Sequence, residues 1–243
     1  KKNITIRQIL NMTSGLEFPS HEHEMMFFEA DHLAYAYKVD VENKPGEVFQ
    51  YNNVNSMLMG EILKGATGKT AKQLIEERLF SKIGLKNYTA WEDEAGNTLT
   101  YCCLDMSARD YSRFGLLFSR DGNWNGDQVI SKNYVDESLK LYWGSTPSMG
   151  WTHSDTRGYS LQWWISKYDD DAKIYNTSGK FGQFVFIDKE RDVIFTRITK
   201  YKPIEGDVQD WGPLGYLRFL GSVKRAINFS RFLIWIGLID IDG

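Results

Sequence analysis

Two short runs hold the residue types that could do chemistry: Tyr51-Asn52-Asn53, and Asn176-Thr177-Ser178-Gly179-Lys180-Phe181-Gly182-Gln183. The first run sets a phenol beside two carboxamides, side chains that each both donate and accept hydrogen bonds. The second mixes hydroxyls, glycines and a lysine at the start of a strand. Each run also has a plain structural reading. Tyr51 could be a buried tyrosine with a satisfied hydroxyl at a helix start, and Thr177 to Lys180 an ordinary strand entrance.

Other candidates carry less. His21-Glu22-His23-Glu24 offers metal-ligand types, and a metal-dependent hydrolase using His21, His23 and nearby carboxylates is one reading. No second ligand cluster stands at metal-site spacing, so a solvated acidic loop is favoured and no metal or other cofactor is expected. Gly68-Lys69-Thr70 resembles the end of a phosphate-binding loop, but position 63, where that loop needs glycine, is Leu. Gly-x-Ser-x-Gly, His-Glu-x-x-His and Cys-x-x-Cys are all missing. The adjacent Cys102 and Cys103 cannot tie distant segments together, and two buried thiols are favoured over a vicinal disulfide.

The elements that must position these residues are marked by caps and periodicity. Thr5-Ile6-Arg7-Gln8 reads as a capping box opening a helix to about Met12, with Thr13-Ser14-Gly15 stopping it. Residues 17 to 47 read as a long loop with one helix around Phe28 to Tyr37. From Asn53, apolar Val54, Met57, Leu58 and Ile62 recur at helical spacing, with Gly65 and Gly68 at the end. Thr70, Ser107 and Ser131 cap three further helices, the last running through Leu139. After Gly158 the pattern changes: Tyr159 to Ile165, Gly182 to Ile187 and Val193 to Thr199 are rich in aromatic and β-branched residues and read as strands. Asp188 to Arg191 joins the last two as a hairpin, and Pro213 opens a final helix with Leu217, Leu220 and Val223 facing the sheet. Helices first and strands later give an α+β fold in one domain over residues 1–243, mainly helical over 1–157, with the C-terminal strands and helix over 158–243.

Composition narrows the function classes. The 243 residues, 42% hydrophobic and 25% charged with 5 prolines, suit a folded chain with a sizeable core. A net charge of −3 gives no basic footprint for nucleic acid. The longest apolar run, Phe232 to Ile239, falls short of the roughly 20 residues of a membrane span. Aromatic residues at 14% suit a small-molecule pocket.

Read in order, these signals resemble a known family. Ile4-Thr5-Ile6-Arg7-Gln8-Ile9-Leu10-Asn11-Met12-Thr13-Ser14-Gly15-Leu16 looks like the segment before the Tyr-x-Asn motif of the serine β-lactamase-related family, which comprises class C β-lactamases, DD-peptidases, related esterases and 6-aminohexanoate-dimer hydrolases. The likeness continues through Pro45-Gly46-Glu47, Tyr51-Asn52-Asn53, Ser107 to Gly115, Ser131 and the Gly182-Gln183 strand. It implies a serine β-lactamase and transpeptidase-like fold, an antiparallel sheet flanked by helices plus a helical region.

The resemblance also implies roles. Tyr51 matches the tyrosine that works beside the nucleophilic serine as general base or proton shuttle, and a neighbouring lysine would have to lower its pKa. Asn53 matches the asparagine that orients the substrate amide and that lysine. Thr177-Ser178-Gly179 lies where many members have Lys-Thr-Gly or His-x-Gly, and with Lys180 and Gln183 forms the expected substrate-binding strand, the Lys180 N–H giving one oxyanion donor. Two departures stand out. No serine here has lysine three positions later, so the family's Ser-x-x-Lys nucleophile motif is absent from these residues and is expected upstream. Thr177 replaces Lys or His, which argues against a dedicated β-lactamase or penicillin-binding role. The expected function is a cofactor-independent serine hydrolase cleaving a small-molecule ester or amide through an acyl-enzyme. The alternative is an inactive family member or fragment serving as a binding or scaffold module. The resemblance favours a periplasmic or secreted setting over a cytoplasmic one, and oligomeric state is not read from it.

Overall fold

The computed structural model describes residues 1–17, 25–140, 142, 157–167, 173–179 and 182–198. Lys180, His21, His23, the helix expected from Pro213 and the apolar run Phe232 to Ile239 lie outside them.

Six α-helices occur among the described residues: α1 Ile6–Leu10, α2 His32–Lys38, α3 Asn53–Thr67, α4 Ala71–Ile75, α5 Ala108–Ser119 and α6 Lys132–Ser138. A 3-10 turn, Met25–Phe28, precedes α2, and α4 runs on into a π-helical turn, Glu76–Phe80. The cap signals hold where the chemistry is local. Thr5 and Thr70 each close a capping box with Gln8 and Gln73, and Ser107 and Ser131 accept from the N–H groups of Asp110 and Tyr134. Gly68 ends α3 in the left-handed conformation.

Three differences have physical reasons. Helix α1 stops at Leu10 rather than Met12, because Met12 itself takes a left-handed φ of 57° and is buried there. The helix expected around Phe28 to Tyr37 is split, with Asp31 capping α2 through the Ala34 N–H. Cys102 and Cys103 are joined in a vicinal disulfide, not left as two buried thiols. Cys103 has a φ of 68°, and its carbonyl accepts from the Trp91 N–H, fixing the main chain of the pair.

The main sheet has five antiparallel strands in sequence order: β5 Arg157–Ser160, β6 Trp163–Lys167, β7 Lys173–Gly179, β8 Gln183–Asp188 and β9 Val193–Arg197. Two small hairpins, β1 Tyr88–Ala90 with β2 Leu104–Met106 and β3 Asn123–Trp124 with β4 Asp127–Gln128, were not marked in the sequence. The run Tyr159 to Ile165 is not one strand. It folds at Leu161-Gln162 into the β5–β6 hairpin.

Side-chain alternation gives the sheet two faces. Trp163, Tyr175, Ile187 and Ile194 join Phe114 and Phe118 of α5 and Val135 and Leu139 of α6 or its end in one core. Helix α5 sits close on the sheet at Gly115, where an added Cβ would stand 2.8 Å from Val185 Cγ1 and 3.0 Å from Ile194 Cγ2. Gly115→Ala is therefore expected to destabilise by about 1–3 kcal/mol through overpacking, read as a lower urea midpoint at constant m-value. On the opposite face, the in-register row Tyr159, Trp164, Asn176, Phe186 and Phe195 crosses all five strands.

Candidate active site

The segment after α1 grips the chain that leads into α3. Gly15 O accepts from the Glu42 and Asn43 N–H groups at 2.9 and 3.1 Å, Thr13 O from the Gly46 N–H at 2.7 Å, and Met12 O from the Gln50 N–H at 2.8 Å. Leu16 O accepts from Asn52 Nδ2 at 3.0 Å. Met12, Thr13, Gly15, Leu16 and Asn52 are buried, so their polar groups need partners within the protein, and these bonds supply them. Tyr51 thus enters α3 from a backbone that is fixed on both sides.

Asn52 starts the helix. Its side chain has no exposed surface, Oδ1 accepts from the Val54 N–H at 2.8 Å, and Nδ2 reaches Leu16 O. Sequence reasoning gave Asn52 no role, although an asparagine just before an apolar helical repeat is the usual cap signal. Asn53 follows as the first helical residue, with its side chain partly exposed.

The Tyr51 ring stacks on Trp164, with centroids 5.5 Å apart and planes at 27°, and meets Tyr159 edge-on at 6.2 Å. Phe49 packs edge-on against Tyr159 and Trp164 at 5.3 and 6.3 Å, and Met12 completes the cluster. Trp163 and Trp164 therefore divide between the two faces, one in the α5 core and the other under Tyr51. Enclosure by these rings pushes the Tyr51 phenol above its ordinary pKa, since burial disfavours the phenolate. Tyr159, fully buried behind it, is raised further, by burial first and by Tyr51 second.

On β7, Asn176 faces Trp164 in register and is buried, a polar group set in an aromatic row. Nδ2 donates to Thr177 O at 3.1 Å. Ser178 shares this face by alternation, whereas Thr177 and Gly179 belong to the face that α5 covers. Thr177 Oγ1 accepts from the Val185 N–H at 3.2 Å, so it serves the sheet ladder. Gly179 pairs with Gln183 at the close of the β7–β8 hairpin, where Gly182 has a φ of 82° and its N–H reaches Gly179 O. The guanidinium of Arg197 stands beside Gly182, a cation that the sequence reading did not place there.

The structure therefore brings Tyr51 to Trp164, and Trp164 to the register position just before Thr177. Asn53 opens α3 two residues after Tyr51, and no hydrogen bond or ring contact links either residue to Thr177, Ser178, Gly179 or Gln183 among the described residues. No group of three or more candidate metal ligands occurs among the described residues, and no helix among them is long and apolar enough to cross a membrane.

Solved structures share this arrangement of elements. A protein described as a 6-aminohexanoate-dimer hydrolase from Bacillus anthracis superposes with a TM-score of 0.71 at 21% identity, covering 93% of this chain and 61% of its own. The D-amino acid amidase of Ochrobactrum anthropi SV3, complexed with D-phenylalanine, gives 0.69 at 15% identity, with 90% and 78% coverage. An octameric penicillin-binding protein homologue from Pyrococcus abyssi gives 0.59 at 17%, with 78% and 52%. The fold is thus the α+β fold of β-lactamase-like proteins. A family model described as Beta-lactamase matches residues 1–214, and the chain belongs to the β-lactamase family. It spans 61% of the length of the Bacillus anthracis protein and 52% of the Pyrococcus abyssi one. A search of the curated proteins finds no match.

Proposed function

We propose that these residues form the larger part of a serine hydrolase that cleaves an ester or amide through an acyl-enzyme, its nucleophile lying on sequence outside the 243 residues. The observation that carries this reading is the fixing of Tyr51. Main-chain and side-chain grips from Met12 to Leu16 hold the approach to α3, and the phenol is stacked one strand away from Asn176 to Gly179.

In this reading an upstream serine attacks the carbonyl, and Tyr51 with a lysine of the same upstream motif moves the protons. Asn53 orients the substrate amide, and the Lys180 N–H is one oxyanion donor, a contact whose loss typically costs about 2.7–4 kcal/mol. Thr177, Ser178, Gly179 and Gln183 would line the substrate strand. The neighbouring amidase complexed with phenylalanine supports a small amide as the substrate class. A second reading, a binding module without catalysis, draws on the raised Tyr51 phenol, which no cation among the described residues offsets in the way a base needs.

The experiment is covalent labelling of the full-length protein with a fluorophosphonate, followed by peptide mass mapping. A stoichiometric adduct on a serine followed three positions later by lysine is expected, abolished by Ser→Ala there. A natural full-length protein with no such serine and no adduct would sink the hydrolase reading in favour of the binding module.

A further inference from the structure

We infer that Gln162 is a positioning residue for Tyr51, acting through Trp164; this rests on the hydrolase reading above. The β5–β6 connection is two residues long, and both have positive φ, 41° at Leu161 and 74° at Gln162. Two-residue hairpins demand this geometry and usually meet it with Asn-Gly, because glycine enters the left-handed region without steric penalty. Leu and Gln do not. Something outside the turn must hold them.

That hold comes from α1 and α3. The Gln162 N–H and its Nε2 both donate to Leu10 O, at 3.1 and 3.2 Å. Gln162 Oε1 accepts from Ser56 Oγ at 3.1 Å, and the Leu161 N–H donates to Asn11 Oδ1 at 2.8 Å. Ser56 lies three residues beyond Asn53, one turn along the same side of α3. A glycine in place of Gln162 would make the turn more easily but would cut the link to α3. The side chain is therefore explained by what it joins rather than by the turn it occupies.

The joint controls one spacing. Tyr51 is referred to Met12 and Leu16 through Gln50 and Asn52, while Trp164, two residues beyond Gln162, is referred to Leu10 and Asn11 through the hairpin. Both rings of the stack are thus measured from one stretch of chain, and the Gln162–Ser56 bond closes the frame directly on α3.

The test uses the full-length protein labelled with 5-fluorotryptophan, the Trp164 resonance being assigned with Trp164→Phe. Gln162→Gly is expected to keep or raise Tm, to shift or broaden the Trp164 line, and to lower kcat about tenfold with KM little changed. Ser56→Ala should do the same, and the double variant should be no worse than either single one. Gln162→Asn, which tolerates positive φ but falls short of Ser56, gives the same readouts should the glycine variant not fold. An unmoved Trp164 line overturns the inference whatever the activity, as does a moved line with wild-type kcat. Because the resonance does not depend on turnover, a full-length protein without hydrolase activity would sink the function while the spectrum still decides the joint.

Discussion

Tyr51→Phe is expected to lower kcat/KM of the proposed full-length hydrolase by about 10²–10⁴-fold, the usual worth of a positioned proton-transfer group, with Tm nearly unchanged. The ring would keep its stack on Trp164 and its edge contact with Tyr159, so packing survives the loss of the hydroxyl. The sign of the pKa effect sharpens the expectation. Burial raises the Tyr51 phenol, whereas a base working near neutrality needs it lowered by about three units, or roughly 4 kcal/mol of phenolate stabilisation. In the proposed hydrolase, a cation brought by the nucleophile segment would therefore have first to cancel the burial penalty and then exceed it. Ultraviolet difference titrations of this chain and of the full-length protein, each against Tyr51→Phe, measure this directly. The Tyr51 phenolate should form above pH 10 in the chain alone and at much lower pH when the segment is present. Wild-type kcat/KM in the variant would remove Tyr51 from the mechanism.

A large stability effect is expected at Gly15. Its φ is 75°, and a Cβ there would stand 2.0 Å from the Asn43 carbonyl oxygen and 2.8 Å from its carbon. Both atoms belong to the backbone, so no side-chain rotation relieves the clash. An alanine meets about 1–2 kcal/mol of left-handed strain and about 1–3 kcal/mol for displacing its neighbour, together roughly 2–5 kcal/mol. For a chain of this size Gly15→Ala should then lower Tm by roughly 5–20 °C in a thermal scan. It should also slow serine labelling at temperatures where the protein stays folded, because Asn43 belongs to the segment that delivers Tyr51. A variant as stable as wild type would mean that the Gly15–Asn43 approach is not held in solution.

Gly15 also shows where sequence reading reaches its limit. As a glycine after a helix it reads as a stop signal, yet the left-handed residue after α1 is Met12, and Gly15 is needed for close backbone passage. The serine and threonine caps were legible because each involves only residues three positions apart. The β5–β6 hairpin was not, since an aromatic, β-branched run without glycine looks like one strand, and the bend is imposed by Leu10, Asn11 and Ser56 from elsewhere in the chain. The site divides in the same way. Tyr51 and Asn53 were visible through the resemblance, whereas the cap role of Asn52, the stack on Trp164 and the burial of Asn176 depend on strand register and tertiary contact, which spacing does not encode. The disulfide between Cys102 and Cys103 is a further case, since adjacency alone favoured thiols.

The contacts from Met12 to Leu16 make the stretch between Asn43 and Asn52 a spacer of fixed length. Four of its points, at Asn43, Gly46, Gln50 and Asn52, are pinned to Gly15, Thr13, Met12 and Leu16 of one partner segment. A single inserted or deleted residue there cannot be absorbed as slack and must carry Tyr51 out of its place over Trp164. Among relatives that keep this arrangement, gaps in an alignment should avoid that stretch even where its residues vary, so that what inheritance preserves between Asn43 and Asn52 is a count before it is a composition.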